Sequence, residues 1–147
     1  MNHELTKDFI NAHLNDDVNK LALSKFPDDI DKQFVIRQIQ ARQLLKKKLP
    51  SWSENDELLF PKRLSLEQCS SELTAKYKRT ISRKDAKTQS RDESMAPAIK
   101  HIDTSLHRIL VDLTGGMGVD TAFLSDNFDE TIYIEAQEEL CELAEHN

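Results

Sequence analysis

Apolar residues recur at helical spacing through the first fifty positions and condense into two short runs near the C-terminus. Phe9, Ile10 and Leu14 share one side of a short helix, and Val18, Leu21, Ala22 and Phe26 share one side of a second. Asp16 stands where it can cap that second helix, and Pro27 where it can end it. A longer pattern over residues 29 to 48 turns Ile30, Phe34, Val35, Ile39 and Leu45 inward and Arg37, Arg42 and the lysines outward. The paired carboxylates Asp16-Asp17 and Asp28-Asp29 each precede a helical pattern, so capping accounts for them. Lys46-Lys47-Lys48 fall in the last turn, where positive charge complements the helix dipole. Leu49-Pro50-Ser51-Trp52 closes this helical subdomain, expected over residues 1–60.

A loop with Trp52 and Pro61 leads to Leu64-Ser65-Leu66-Glu67-Gln68-Cys69-Ser70-Ser71, followed by Leu73, Ala75 and Tyr77. Ser70 or Ser71 here marks a polar turn entering a helix. From about residue 82 to residue 105 the chain is rich in Ser, Lys, Asp and Thr and poor in large apolar residues, which predicts a mobile connector. Residues 61–106 thus form a helix and a connector. The runs at residues 108–113 and 131–135 are the expected buried strands. Val119, Ala122, Phe123 and Leu124 keep helical spacing between them, and Leu140, Cys141, Leu143 and Ala144 do so after them. Strand, helix, strand, helix predicts two neighbouring parallel strands with a right-handed crossover, an α/β arrangement over residues 107–147. A complete doubly wound sheet needs more strands, so the expectation is its truncated start. Its open edge invites self-association.

The 147 residues are 38% apolar and 31% charged, which places the chain in the soluble globular class. No apolar run reaches the roughly 18 residues of a membrane span, and the first residues lack a secretory h-region, so no membrane association and a cytoplasmic location are expected. Cys69 and Cys141 fit neither a redox pair nor a zinc site and are expected to be reduced. His3, His13, His101, His107 and His146 are scattered without ligand spacing, so no metal is expected. Ser70 and Ser71 have no base at a recognisable spacing, which disfavours nucleophilic catalysis. The formal charge of −6 argues against a protein that holds nucleic acid by overall charge. The charge is uneven, however: residues 46–48 and 76–87 are locally basic, which leaves contact with RNA or DNA open beside the plainer account of solvated lysines.

The most specific chemistry lies in Leu110-Val111-Asp112-Leu113-Thr114-Gly115-Gly116-Met117-Gly118 and in Ile132-Tyr133-Ile134-Glu135. In a strand-to-helix turn, Gly116 and Gly118 let the backbone approach a ligand, with the next helix's free N–H groups close by. Glu135 ends the second strand, where a carboxylate can take both hydroxyls of a ribose. Position 121 is Thr, so the dinucleotide pattern G-x-G-x-x-G is not completed, which disfavours a nicotinamide oxidoreductase; a P-loop lysine is also missing. An acidic residue ahead of the glycines suits a ligand with a positive centre and an amino group.

These residues resemble motif I and the following acidic position of class I S-adenosylmethionine-dependent methyltransferases. The resemblance implies that Gly116 and Gly118 lie against the cofactor, that Asp112 orients its amino-acid end and that Glu135 binds its ribose. The departure is Thr114-Gly115 in place of the usual Gly-x; similar Asp-x-Thr-x-Gly-x-Gly turns occur in some RNA guanine methyltransferases. Residues 66–71 are similar to a short Glu-Gln-x-(Pro/Ser)-(Thr/Ser) segment that precedes motif I in several nucleic-acid methyltransferases, which implies polar contacts from Gln68, Ser70 and Ser71. The plainer account makes Ser70 a helix cap and Gln68 a surface residue. Nearly the whole chain resembles the N-terminal part of the THUMP-like-domain methyltransferases of the Bacteroidetes, which implies methyl transfer to RNA at a base nitrogen. The acceptor-side Asp/Asn-Pro-Pro-aromatic turn of such enzymes is not in this sequence, so no catalytic residue is named. A binding module without turnover and an inert truncated fragment are the alternatives.

Overall fold

A computed structural model describes residues 3–89 and 107–147. Three helices build the first part: α1 (His3–Ala12), α2 (Val18–Leu23) and α3 (Lys32–Leu45). Asp17, not Asp16, caps α2, its carboxylate accepting from the backbone N–H groups of Asn19 and Lys20. Asp16 instead pairs with His13. Asp31 caps α3 in the same manner, so neither Asp28 nor Asp29 does, and α2 stops at Leu23, ahead of Pro27. Ile10, Val18, Leu21, Ile30, Val35 and Ile39 close the first core, with Phe9, Leu14, Phe26, Phe34 and Ile36 around it.

Arg42 departs from expectation most. It is 6% exposed and points inward, its guanidinium donating to the carbonyls of Ser53, Asn55, Asp56 and Leu58. The chain after α3 forms the one-turn helix α4 (Pro50–Ser53) and then an irregular stretch whose carbonyls need donors; a long cation on the inward face supplies them. Gln38 does likewise for Phe60, donating to its carbonyl and accepting from its N–H, each at 3.0 Å.

Helix α5 (Arg63–Gln68), which the apolar pattern does not predict, is followed by a turn at Cys69-Ser70-Ser71 and by α6 (Glu72–Gln89). Lys48 caps α5 from outside, its Nζ donating to the carbonyls of Leu66 and Glu67, so its role is a specific bond rather than a general dipole interaction. Glu72 at the start of α6 is buried and accepts from the N–H and hydroxyl of Ser51, capping α4. Residues 82–89, expected in the connector, belong to α6. Polar ties hold the helix where this segment begins: Arg79 pairs with Asp126, Arg83 donates to Asn127, and Arg108 donates to the Ser82 carbonyl. The rest of the expected connector, and His101, lie outside the described residues.

Strands β1 (Ile109–Asp112) and β2 (Glu130–Tyr133) pair in parallel, Ile109 opposite Glu130 and Asp112 opposite Tyr133. Between them run α7 (Val119–Leu124) and a 3₁₀ turn at Ser125–Asn127; α8 (Glu138–His146) follows β2. The chain is therefore α/β, with α7 packed on β1 and on α6. The strands were expected to be buried, and they are covered on one face only. The alternation leaves Ile109, Val111 and Leu113 of the first run and Ile132 and Ile134 of the second exposed together.

A second core joins the helices to the sheet. Ala41, Leu45, Leu49, Leu58, Phe60, Leu66 and Ala75 pack with Met117 and Val119 from the glycine turn and α7. Asn147 completes the union from the far end, its side chain accepting from the Leu59 N–H and donating to the Leu59 carbonyl. No helix among the described residues is long and apolar enough to cross a membrane.

Candidate functional site

The glycine turn is fixed by what surrounds each glycine. A Cβ on Gly115 would lie 2.0 Å from the Tyr133 ring, so the first glycine makes room for the neighbouring strand's aromatic. Gly116 has φ +56°, and a Cβ there would meet nothing closer than the Thr114 carbonyl at 3.8 Å; that side of the turn is open. Gly118 has φ +80° as the residue before α7, a left-handed conformation that favours glycine, and a Cβ there would point to Ala144 of α8. The Tyr133 hydroxyl donates to the Gly116 carbonyl at 2.5 Å. Burial, reinforced by Cys141, Glu135 and Asp112, pushes that phenol up to about 12.

Glu135 holds the turn from the other side. Its Oε2 accepts from the Gly116 N–H at 2.8 Å, while Oε1 accepts from the N–H groups of Ala136 and Gln137. These bonds, led by Gln137 and Gly116, keep its carboxyl below the usual range, so it is ionised at neutral pH.

The open side of the turn faces a cavity of about 340 Å³, lined by Ser65, Gln68 and Cys69 from α5 and its turn, and by Thr114, Gly116, Asp120, Glu135 and Gln137 among others. The volume lies within the roughly 300–1,000 Å³ of small-molecule sites. Of the residues proposed from sequence, Gln68, Gly116 and Glu135 line this cavity. Asp112, Ser70, Ser71 and Gly118 stand outside the lining. Asp112 accepts from the Thr121 hydroxyl at 2.6 Å and the Thr114 N–H at 3.3 Å. Ser71 accepts from the Thr74 N–H and so caps α6. Ser70 donates to Asp120 at 2.7 Å. Sequence reasoning missed Asp120, two residues past the last glycine of the motif, and Gly115, whose role depends on Tyr133.

The electrostatics of the lining are one-sided. Two carboxylates, Asp120 and Glu135, face the cavity, and none of its lining residues is Lys, Arg or His. A pyrophosphate would find no cation there, whereas hydroxyl donors and a positive group would find acceptors. Cys69 is free, and burial pushes its thiol up, which keeps it protonated and non-nucleophilic. Folding does bring a lysine to Ser70, Lys78 Nζ lying 3.2 Å from its hydroxyl, but Lys78 also pairs with Asp120 at 2.6 Å. Its Nζ is thus spent as a donor to that carboxylate and is not set to act as a base on Ser70. Among the described residues no group of His, Cys, Asp and Glu forms a metal site.

A second groove, of about 560 Å³, lies against α5 on the helical side, lined by Asp17, Arg37, Gln40, Arg63 and Leu66 among others. Its lining carries no turn glycine and mixes both signs of charge. Of the basic stretch beginning at residue 76, Lys76, Lys78 and Arg79 are committed to Glu72, Asp120 and Asp126.

No protein-family model matches the chain, and a search of curated proteins finds no match. Among solved structures, the crystal structure of a putative methyltransferase from Porphyromonas gingivalis W83 superposes with a TM-score of 0.69 at 29% identity, covering 97% of this chain. The fold is thus a methyltransferase fold. The chain spans 30% of that neighbour's length.

Proposed function

We infer that the cavity under the glycine turn takes S-adenosylmethionine and that the protein belongs to a methyl-transfer system. The observation that carries this is the lining itself: an open glycine turn, two carboxylates and no cation around one small-molecule cavity. The ligand carries a sulfonium, an ammonium and a ribose diol, all of which suit acceptors. Glu135, already ionised and rigidly held, receives the ribose hydroxyls; Gly116 gives the backbone its close approach; Gln68 closes the side formed by α5. Ser70, Ser71, Asp112 and Gly118 act one step further out by holding the two walls in place. When bound, the cofactor supplies an electrophilic methyl carbon, and the chain's part is to fix its position.

The acceptor is proposed to be RNA, methylated at a base nitrogen. This rests on the resemblance of residues 66–71 and 112–118 to nucleic-acid methyltransferases, including those with THUMP-like domains, and not on a basic surface. Lys46 and Lys47 are exposed and make no ion pair among the described residues, so they are among the cations open to such a contact.

Calorimetric titration with S-adenosylmethionine and with NAD tests the proposal. Saturable methyl-donor binding, weakened about tenfold or more by Glu135→Ala, is expected, with no heat from NAD. NAD binding without methyl-donor binding would overturn it. Binding of neither would favour the inert fragment.

A further inference from the structure

Gly116 is gripped on both sides by two residues from one strand end. Its N–H donates to Glu135 Oε2 at 2.8 Å, and its carbonyl accepts from the Tyr133 hydroxyl at 2.5 Å. Tyr133 and Glu135 stand two positions apart at the end of β2, the spacing that turns side chains to one face of an extended chain. The N–H and the carbonyl belong to the two planar peptides that flank the Gly116 Cα, and these planes turn about its φ and ψ. A glycine at φ +56° has no side chain to restrict that turning. Glu135 therefore fixes one plane and Tyr133 the other.

The ring and the hydroxyl of Tyr133 have separate explanations. The ring fills the space over Gly115, where a Cβ would lie 2.0 Å from it. The glycines at positive φ are Gly116 and Gly118, so the ring, and not the backbone, is what requires glycine at position 115. A phenylalanine would fill that space equally well. The hydroxyl adds one donor, and drawing it out of water costs free energy unless it is bonded. Its other contact, the Leu140 carbonyl, is 3.5 Å away, so the proton is directed at Gly116. Gly116 lines the cavity and has its open side there, whereas Tyr133 is outside the lining.

We propose that Tyr133 is a positioning residue for the methyl donor, its hydroxyl setting the Gly116 carbonyl so that the turn keeps the shape against which the ligand binds. Tyr133 acts from behind the cavity wall, through Gly116 and so on the N–H that Glu135 accepts. The inference rests on the methyl-donor reading and adds to it a residue that the ligand does not touch.

Tyr133→Phe keeps the ring and removes the donor. Calorimetry on the full chain is expected to show S-adenosylmethionine binding weakened about fivefold, the effect of one lost hydrogen bond. NMR is expected to show altered amide signals at Gly116 and Met117 and unchanged exchange protection in the β1–β2 pairing. 4-Aminophenylalanine at position 133 returns a donor to the same point of the ring, and is expected to bring affinity back to within about twofold of the unmodified chain. Unaltered binding by Tyr133→Phe, or no recovery with 4-aminophenylalanine, would overturn the inference and leave the methyl-donor site standing. Should Tyr133→Phe lose the strand protection, 4-fluorophenylalanine at position 133, which has no donor, is compared with 4-aminophenylalanine. Weaker binding by the fluorinated chain supports the inference, and equal binding overturns it. If the unmodified chain binds no S-adenosylmethionine, the methyl-donor reading fails and this inference with it.

Discussion

Glu135 stabilises the turn only as an anion, and that gives the site an acid limit. Its three backbone bonds hold the folded-state carboxyl below the ordinary value of 4.5. A carboxyl depressed by folding contributes fully above its unfolded value and loses that contribution as pH falls through the folded one. Thermal melts between about pH 6 and pH 3 are therefore expected to show a fall in midpoint that Glu135→Gln flattens, because the amide has no charge to lose. An equal acid slope in both proteins would show that the bonds to Gly116, Ala136 and Gln137 add nothing. Its place beside the glycine turn was legible in sequence, since the strand that it follows pairs with the strand that leads into the turn. Its neighbours were not. Gly115 is explained by a ring eighteen positions away, and no local pattern reports that Tyr133 will lie against it.

Among the elements, helix α3 shows how a correct pattern can misplace a side chain. The apolar spacing predicted the helix and its inner face, and Val35, Ile39 and Leu45 are fully buried as expected. Arg42 was assigned outward because a cation inside a core is costly. The structure offsets that cost with four carbonyls from residues 53–58 and the Phe60 ring, whose centroid lies 5.1 Å from the guanidinium carbon. Arg42→Met is expected to lower stability in urea unfolding by about 3 kcal/mol, since a group of carbonyls loses its charged donor. A solvated arginine would cost less than about 0.5 kcal/mol, so the measurement separates the two placements. Helix α6 fails in the opposite sense. Its last turns carry too little apolar content to be predicted, and polar ties to residues 126, 127 and 108 precede them instead.

Among the described residues a core runs from α3 to α7, and one face of the sheet is left exposed. Parallel strands are normally covered on both faces, because both carry apolar side chains. Here Ile109, Val111, Leu113, Ile132 and Ile134 are exposed on one face, at 40% or more. The 147-residue chain is therefore expected to self-associate through this face and the adjoining strand edge. Val111→Lys combined with Ile132→Lys should shift sedimentation velocity profiles toward monomer, weakening association about tenfold or more. Monomeric behaviour of the unmodified chain would contradict the expectation. The sequence by itself determined the strand, helix, strand, helix order after residue 107, the parallel pair of strands and the glycine turn with its acidic partner, because these depend on periodicities and spacings within about thirty residues. Only the tertiary structure decided that Arg42 faces inward, that Asp120 rather than Asp112 lines the cavity, and that Gln68 lines it together with Glu135. Each of those is a meeting of segments far apart along the chain, held by packing and hydrogen bonds that no local window contains.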